Sequence, residues 1–565
     1  MIRSVLLLFV NIFLHFSLSA QNSVLQKYPK GYFRYPLDIA PKLNANFGEM
    51  RPNHFHMGLD LYTLKKENLP IHAAAEGYVS KVKIEAGGFG NAIYIAHPNG
   101  LTTLYAHMNE FMPELADYVK KQQYLTQSWS VELTIPAALF PLKKGDFIGY
   151  SGNTGGSQGP HVHFEIRETA TDKCLNPLLF GFNIPDNVPP DVYRLAIFNR
   201  NVSIYEQPPM IITLKKTPQG YEAPLVSVNF DKVVIAVQST DRMTGAPNNN
   251  GIFMASLFEK ETAIAGFKID GISYDETRYL NAHIDYRTKF SGGAYFQNLF
   301  PLTGDKLGIY PYCSPGSFIV LDDTLKQDFR LDIKDAYGNT STVRFAVQKT
   351  LMKAPSPLTS GILMHAGELN VFESPDLQVY LPEQALYDSI YFKTSVMSET
   401  QPLAFSPLYI IHTPVIPLQD YITVRIRADK TIPYHLREKL LIKKQTKDKI
   451  SVKKAAWEMG FYAAKFREFG IFQLVADDQP PVISGFKAGA DLSKSAGITL
   501  NVKDNFDQVN DFRAELDGKW LRFVQRGNTF VYKFDENCRK GEHDLTISVL
   551  DEAGNKAIQR FTFRR

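Results

Sequence analysis

Short runs of alternating apolar and polar residues, separated by glycine-rich turns, recur through most of this chain. Examples are AIYIAH (92–97), LTTLYAH (101–107) and HVHFEIR (161–167). A period of two sends successive side chains to opposite faces, as in a β-strand, and each run is too short for a typical helix. The sequence therefore predicts a mainly β protein. Because 565 residues are too many for one hydrophobic core, we expect several domains.

The first twenty residues have the pattern of a signal peptide. Arg3 precedes an apolar stretch over 5–16, and small residues follow, ending at Ala20. The stretch is shorter than the roughly 20 residues of a membrane span. We expect export to the periplasm, the cell envelope or the medium, with no transmembrane segment after signal cleavage. The net charge of +4 is small and dispersed, so no nucleic acid partner is expected.

Two similar segments in the second half of the chain predict β-hairpins. In 329–347 and 543–563, one alternating run enters an Asp-x-x-Gly-Asn turn and a second run leaves it. Such hairpins are typical of immunoglobulin-like β-sandwiches. With Pro189-Pro190 and Pro480-Pro481 as linkers, the predicted domains are 21–185 with a helical insertion at about 110–141, a sandwich at 186–350, a β-rich unit of uncertain type at 351–480 and a sandwich at 481–565.

Histidines are concentrated in the first predicted domain. Of 13 in the chain, seven fall in one short window: His54, His56, His72, His97, His107, His161 and His163. Histidine is the commonest zinc ligand and a frequent proton-transfer group.

Three short motifs arrange these histidines for metal chemistry. His161 and His163 project from one face of a predicted strand, so one can bind a metal while the other stays free. In HMGLD, four-residue spacing returns His56 and Asp60 to one face. Two imidazoles and a carboxylate form a typical catalytic zinc set, which makes His56, Asp60 and His163 the candidate ligands. His107, at the end of a β run, is available as a second unliganded histidine.

The order of these motifs resembles the lysostaphin-type, or LytM-like, family of zinc peptidoglycan endopeptidases. The resemblance covers roughly 33–183 and includes NFGEMRPNHFHMGLDL (46–61), GGFGNAIYIAHPNGLTTLYAHM (87–108) and KKGDFIGYSGNTGGSQGPHVHFEIR (143–167). It implies an antiparallel β-sheet peptidase domain with one Zn²⁺ per chain, followed here by two to three β-sandwich domains. It also implies ligands His56, Asp60 and His163, and catalytic histidines His107 and His161.

Other residues of the matching motifs lie outside the predicted metal and catalytic set. Arg51, Asn91, Tyr105 and Asn153 are candidates to line a substrate cleft, although packing within turns explains such polar residues better. His54 is interpreted as flanking the ligands, and His72 and His97 as residues that are structural or that support the ligands. Glu165 shares the face of His163, but the resemblance does not make it the catalytic base.

The expected function is hydrolysis of peptide crosslinks in bacterial peptidoglycan by an exported zinc metallopeptidase. The alternative is a non-enzymatic regulator that binds the cell wall and activates other wall hydrolases, as do family members that have lost zinc ligands. All five metal and catalytic positions are occupied here, which favours the enzyme. A third hypothesis gives the main role to the β-sandwich tail, as an adhesin or a module that binds a wall or protein partner.

Overall fold

The computed structural model describes residues 28–246, 248–321, 324–351, 360–398, 401–447 and 449–565. The predicted signal peptide, 1–20, lies outside these ranges. In the described ranges the chain is built almost wholly from antiparallel sheets, and the prediction of a mainly β protein is confirmed. No described helix is long and apolar enough to cross a membrane.

One large antiparallel sheet dominates the N-terminal region. Its strand order is β1-β4-β13-β8-β7-β6-β10, and a smaller sheet has the order β5-β12-β9. The strands of this region are β1 Leu43–Ala45, β2 Met50–Arg51, β3 His54–Phe55, β4 Leu59–Tyr62, β5 Pro70–His72, β6 Gly77–Ile84, β7 Asn91–Ala96, β8 Leu101–Ala106, β9 Glu110–Phe111, β10 Val131–Thr134, β11 Pro141–Leu142, β12 Phe147–Tyr150, β13 His161–Glu168 and β14 Cys174–Leu175.

The insertion contains the predicted helix, at Pro113–Thr126, which begins with a proline at its first turn and buries Leu115 and Val119. After the helix, β10 pairs with β6 and extends the main sheet. On its other side the helix contacts the C-terminal region. Lys120 forms an ion pair with Asp535, and the rings of Tyr124 and Trp520 lie 5.1 Å apart.

The second region consists of two sheets, with strand orders β16-β15-β20-β24 and β17-β18-β27-β26-β21-β22. It also pairs with the first region, because β23 adds to β14 at the border of the main sheet. Its strands are β15 Asp191–Asn199, β16 Met210–Thr213, β17 Lys215–Thr217, β18 Gly220–Glu222, β19 Val226–Val228, β20 Lys232–Thr240, β21 Met254–Glu259, β22 Thr262–Lys268, β23 Gly271–Ile272, β24 Gln297–Asn298, β25 Ile319–Val320, β26 Gln327–Lys334 and β27 Thr340–Lys349.

The third region also has two five-stranded sheets, ordered β29-β30-β34-β38-β37 and β32-β33-β39-β35-β36. Its strands are β28 Ile362–Met364, β29 Asn370–Glu373, β30 Leu377–Leu381, β31 Ile390–Phe392, β32 Thr394–Met397, β33 Leu408–Ile411, β34 Pro417–Ile426, β35 Leu440–Thr446, β36 Lys449–Lys454, β37 Ala456–Glu458, β38 Phe461–Glu468 and β39 Gly470–Ala476. The short helices of the chain are Pro177–Phe180, Ile204–Glu206, Thr277–Tyr279, Leu280–His283, Tyr286–Phe290, Pro315–Ser317 and Tyr434–Lys439.

The C-terminal region is a sandwich of a four-stranded and a five-stranded sheet, ordered β40-β42-β46-β45 and β41-β48-β47-β43-β44. Its strands are β40 Val482–Ser484, β41 Ala490–Asp491, β42 Gly497–Lys503, β43 Val509–Leu516, β44 Lys519–Trp520, β45 Val524–Arg526, β46 Thr529–Lys533, β47 Glu542–Asp551 and β48 Lys556–Arg564. Both predicted hairpins are present, as β26–β27 and β47–β48.

The chain has fewer large hydrophobic cores than predicted domains in its described residues. One continuous core runs from Phe33 to Ala476, whereas the C-terminal sandwich has a separate core from Ile483 to Phe563. The first three regions are therefore packed together, and the predicted boundaries at 186 and 351 remain predictions about the chain's organisation.

Phe164 anchors the core side of β13, where it is fully buried. We expect Phe164→Ala to lower the free energy of unfolding of the region around it by about 3–5 kcal/mol, because the ring's burial is lost and a cavity remains. The urea midpoint, followed by tyrosine and tryptophan fluorescence, measures the change. Thr134→Ala, at an exposed position of β10, is the control and should change it by less than about 0.5 kcal/mol.

Candidate metal centre

Asp60 and His163 face each other across two neighbouring antiparallel strands. Asp60 lies in β4 and His163 in β13, and the register places the two residues directly opposite. Opposite residues of an antiparallel pair project to the same face of a sheet, so the carboxylate and the imidazole meet. Asp60 Oδ1 is 3.0 Å from His163 Nδ1, and both side chains are buried.

His56 reaches the same point from the connection before β4. The expectation that it shares a strand face with Asp60 is wrong, because β4 begins only at Leu59. His56 is instead held by a backbone hydrogen bond from its N–H to the carbonyl of Glu49. Its Nε2 lies 2.9 Å from Asp60 Oδ1 and 3.0 Å from His163 Nδ1.

The connection between His56 and Asp60 requires a glycine. A Cβ atom at Gly58 would lie 2.4 Å from the carbonyl oxygen of Phe164 and 3.0 Å from His163 Nε2. Such contacts are shorter than van der Waals separation, so any larger residue would push the connection away from β13. The glycine thus permits the close approach that brings the three side chains together.

The donor set of this centre fits a zinc ion. His56 Nδ1 donates to the carbonyl of Asn46 at 2.7 Å, and His163 Nε2 donates to Glu165 at 2.8 Å. When both imidazoles are neutral, the two nitrogens that face each other therefore carry lone pairs. Together with Asp60 Oδ1 they form three ligand atoms, within 4.8 Å of one another, that can hold a metal ion. Zinc bonds of about 2.0–2.1 Å to a tetrahedral set place ligand atoms about 3.3 Å apart, close to the observed spacing.

Glu165 holds the tautomer of His163 through a buried network. Its carboxylate accepts hydrogen bonds from His163, from Arg167 Nε at 2.6 Å and from the Tyr274 hydroxyl at 2.5 Å. Burial favours the neutral acid, but Arg167 and His163 outweigh it and lower the pKa of Glu165 to about 2. The group is thus an ionised positioning residue and lacks the raised pKa expected of a general base.

No sequence motif pointed to Tyr274, which is another member of this network. It belongs to the second region and lies 109 residues from Glu165 along the chain. Its ring also lies beside Arg167 and Phe89. Only the pairing of β23 with β14 brings it to the centre, and no local motif signals such a contact.

His107 and His161 border the three converging groups. Their ring centroids are 4.7 Å apart, and His161 Nε2 is 3.4 Å from Asp60 Oδ1. Each ring uses Nδ1 to donate to a backbone carbonyl, from Thr154 and Gly159 respectively, both at 2.8 Å. Nε2 of each histidine is therefore left with a lone pair for proton transfer.

His107 has a strained backbone. It follows β8 directly, with a φ of 61°, which is uncommon for a residue with a side chain. Such outliers concentrate at functional sites, where the surroundings impose them. Burial lowers the pKa of His107 to about 3, and repulsion from His163 and His161 adds to the effect, so the imidazole is neutral at physiological pH.

The charges of the centre are strongly coupled. Burial opposes ionisation of Asp60, but the surrounding imidazoles of His56, His161 and His163 hold its pKa well below the usual range. Burial also opposes protonation of His163, but Asp60 and Glu165 raise its pKa to about 9, so without a metal ion the ring takes up a proton between the two carboxylates. A metal ion bound to Nδ1 would replace that proton.

Comparisons with known proteins place this centre in a family. Residues 54–136 match the model of Peptidase family M23, and residues 362–477 match that of the Zu5-like domain. This chain carries an M23 peptidase domain. The lysostaphin-like resemblance is thereby confirmed, and the region predicted as a β-rich unit of uncertain type contains a Zu5-like domain.

The curated relatives match through the same part of the chain. An uncharacterized metalloprotease of Haemophilus influenzae is 30% identical over 158 residues, which are 26% of this chain and 27% of that protein. The DD-carboxypeptidase/endopeptidase Mpg of Neisseria meningitidis is 29% identical over 162 residues, 28% of this chain and 31% of that protein. The matches thus span under a third of each relative. The catalytic domain of lysostaphin from Staphylococcus simulans is 23% identical, with 25% of this chain and 91% of that one covered and a TM-score of 0.17.

The centre of the M23 domain lies in a cleft of about 1220 Å³. Arg51 lines the cleft and donates to Asp60 Oδ2 at 3.1 Å. One wall comes from the second region of the chain, through Asn248, Asn249, Tyr274 and Thr277. Among the described residues that line the cleft, none belongs to the insertion at 110–141.

Three other cleft candidates lie elsewhere. Tyr105 is fully buried in the core, where its hydroxyl accepts a hydrogen bond from the Ala74 N–H, so its assignment to the cleft is corrected. Asn91 donates to the carbonyl of Met108 and braces a turn. Asn153 is exposed outside the described lining of the cleft.

The hydrogen bond from His163 Nε2 to Glu165 can be tested by mutation. We expect Glu165→Gln to weaken zinc binding by about 10–100-fold, because the amide loses the charge that orients and polarises the imidazole. Competition with a fluorescent zinc chelator measures the affinity. Glu168→Gln, at the end of the same strand, is the matched control. Equal affinities in both variants would contradict the role given to Glu165.

Proposed function

We propose that this chain is an exported zinc metalloendopeptidase that hydrolyses peptide crosslinks of bacterial peptidoglycan. The observation that carries the proposal is the convergence of His56, Asp60 and His163 on one point of an M23 domain, with His107 and His161 beside it. The proposal includes one Zn²⁺ per chain and a periplasmic or cell-envelope location. It also includes removal of residues 1–20 as a signal peptide.

The proposed chemistry divides between the metal and the two free histidines. Zinc, when bound, supplies Lewis-acid chemistry by polarising the scissile carbonyl and acidifying water. His107 and His161 each present Nε2 to the same space, with Nδ1 fixed on a carbonyl. One ring can take the proton of the attacking water, and the other, once protonated, can donate to the developing oxyanion. Arg51 holds the free oxygen of Asp60 at the edge of the cleft.

The substrate class is inferred from relatives of the M23 domain. The name DD-carboxypeptidase/endopeptidase belongs to the Neisseria protein, and Vibrio cholerae has a peptidoglycan DD-endopeptidase, ShyA, that is 27% identical over 143 residues. The cleft is bordered by two regions of the chain, and the proposed substrate would bind between them. The same proposal includes a wall or protein partner of the tail. It also includes the domain organisation 21–185, 186–350, 351–480 and 481–565.

Cleavage of purified sacculi by zinc-loaded protein, compared with His163→Ala, tests the proposal. We expect soluble muropeptides from the wild type and a loss of both zinc and cleavage in the variant, because a ligand is removed. Mass spectrometry of the products identifies the bond. Stoichiometric zinc without cleavage of sacculi or soluble crosslinked peptides would instead favour the regulator.

Mutation of the two free histidines should affect catalysis without removing the metal. We expect His107→Ala and His161→Ala to retain about one zinc per chain but to lower kcat by about 10²-fold or more, because proton transfer is lost while the ligands remain. Zinc content and the turnover of a crosslinked peptide are the two measurements. His72→Ala, outside the cleft lining in the same domain, should retain both.

A further inference from the structure

Two groups of aspartates, five of them buried and Asp186 half-buried, lie outside the M23 centre. Asp186, Asp241 and Asp335 form one group, and Asp477, Asp504 and Asp551 form the other. In each group one side-chain oxygen from every residue lies within 4.8 Å of the others. Like charges at this separation repel, so each group needs a compensating partner.

The two groups occupy equivalent positions in the second and C-terminal regions. Asp335 and Asp551 begin the two Asp-x-x-Gly-Asn turns that join β26 to β27 and β47 to β48. The asparagine that ends each turn donates from Nδ2 to a backbone carbonyl of the preceding linker, Asn339 to Asp186 and Asn555 to Asp477. The third member, Asp241 or Asp504, directly follows β20 or β42. The arrangement is thus one structural feature that occurs twice.

No basic side chain compensates these carboxylates. Among the ion pairs of the described residues, none joins Lys, Arg or His to any of the six aspartates. The side chains of Asp241 and Asp504 are 3% and 5% exposed, and Oδ1 of each is buried without a hydrogen-bond partner in the described structure. A buried ionised oxygen with no donor is costly unless a cation contacts it.

A neutral side chain beside the first group is also unsatisfied. Asn250 is 3% exposed, and both its Oδ1 and its Nδ2 are buried without partners in the described part of the chain. Its backbone exchanges both hydrogen bonds with Asp241 in an antiparallel bridge. Opposite residues of such a bridge project to the same side, which places the amide of Asn250 beside the Asp241 carboxylate. The amide oxygen is a further ligand of the kind that hard cations take.

We propose that each aspartate group binds one Ca²⁺ ion, giving two calcium sites per chain. The ligands are carboxylate oxygens, joined in the first site by an amide oxygen, and neither group has the nitrogen or sulfur ligands that zinc prefers. Asp186 lies three residues before Pro189-Pro190, and Asp477 lies three before Pro480-Pro481. Each ion would therefore fasten a linker to the turn and strand end of the region that follows, and so hold successive regions of the tail in a fixed arrangement. This proposal does not depend on the peptidase activity.

Calcium binding to the full mature chain tests the proposal. Zinc-loaded protein in calcium-free buffer is titrated with CaCl₂ in a calorimeter, and its thermal unfolding midpoint is measured with and without CaCl₂. We expect two ions per chain and a higher midpoint with calcium, because the ions bind the folded state. Asp241→Asn and Asp504→Asn should each remove one ion, and the double variant should remove both.

The variants also separate ion binding from a structural role of the carboxylates. In calcium-free buffer, each Asn variant should unfold at a midpoint no lower than the wild type, because an uncompensated buried charge is removed. Asp332→Asn, on β26 close to Asp335 but outside the group, is the matched control and should retain two ions. Absence of saturable binding, retention of two ions by both Asn variants, or an equal response to MgCl₂ would overturn the proposal.

Discussion

The pairing register of β4 with β13 is the constraint on which the candidate centre depends. It places Asp60 opposite His163, and a shift by one residue would send every side chain of β13 to the other face. The core side of the same strand, with Phe164 fully buried, makes such a shift costly. The packing that stabilises the sheet therefore also holds the geometry of the metal ligands.

Buried carboxylates occur both at the M23 centre and in the tail, and their charges are compensated differently at the two places. At the M23 centre, Glu165 is compensated by Arg167 and by hydrogen bonds from Tyr274 and His163. On the other side of His163, its Nδ1 converges with His56 Nε2 and Asp60 Oδ1, and these atoms can share one metal ion. In the second region, Oδ1 of Asp241 is buried without a hydrogen-bond partner in the described structure. Convergence of buried ligand atoms thus supports both the zinc centre and the proposed calcium sites.

The tail and the M23 domain are physically connected. Strand β23 continues the main sheet, and Tyr274 reaches Glu165 from the second region. The helix of the insertion contacts the C-terminal sandwich through Lys120 and Tyr124. Because ions that order the linkers would also fix these contacts, the position of the cleft wall would depend on the tail. These contacts favour a tail that supports the M23 site over a tail that acts only as a binding module.

The sequence by itself determined the mainly β character, the two hairpins and the identity of the histidine and aspartate residues around the centre. These follow from local periodicity, turn residues and motif spacing, which act over a few residues. Tertiary structure alone decided that His56 approaches from outside β4, that Tyr105 is a core residue and that Tyr274 joins the site. It also decided which aspartates converge in the tail. Those outcomes depend on contacts between distant segments, and local sequence patterns do not encode the distances that bring such segments together.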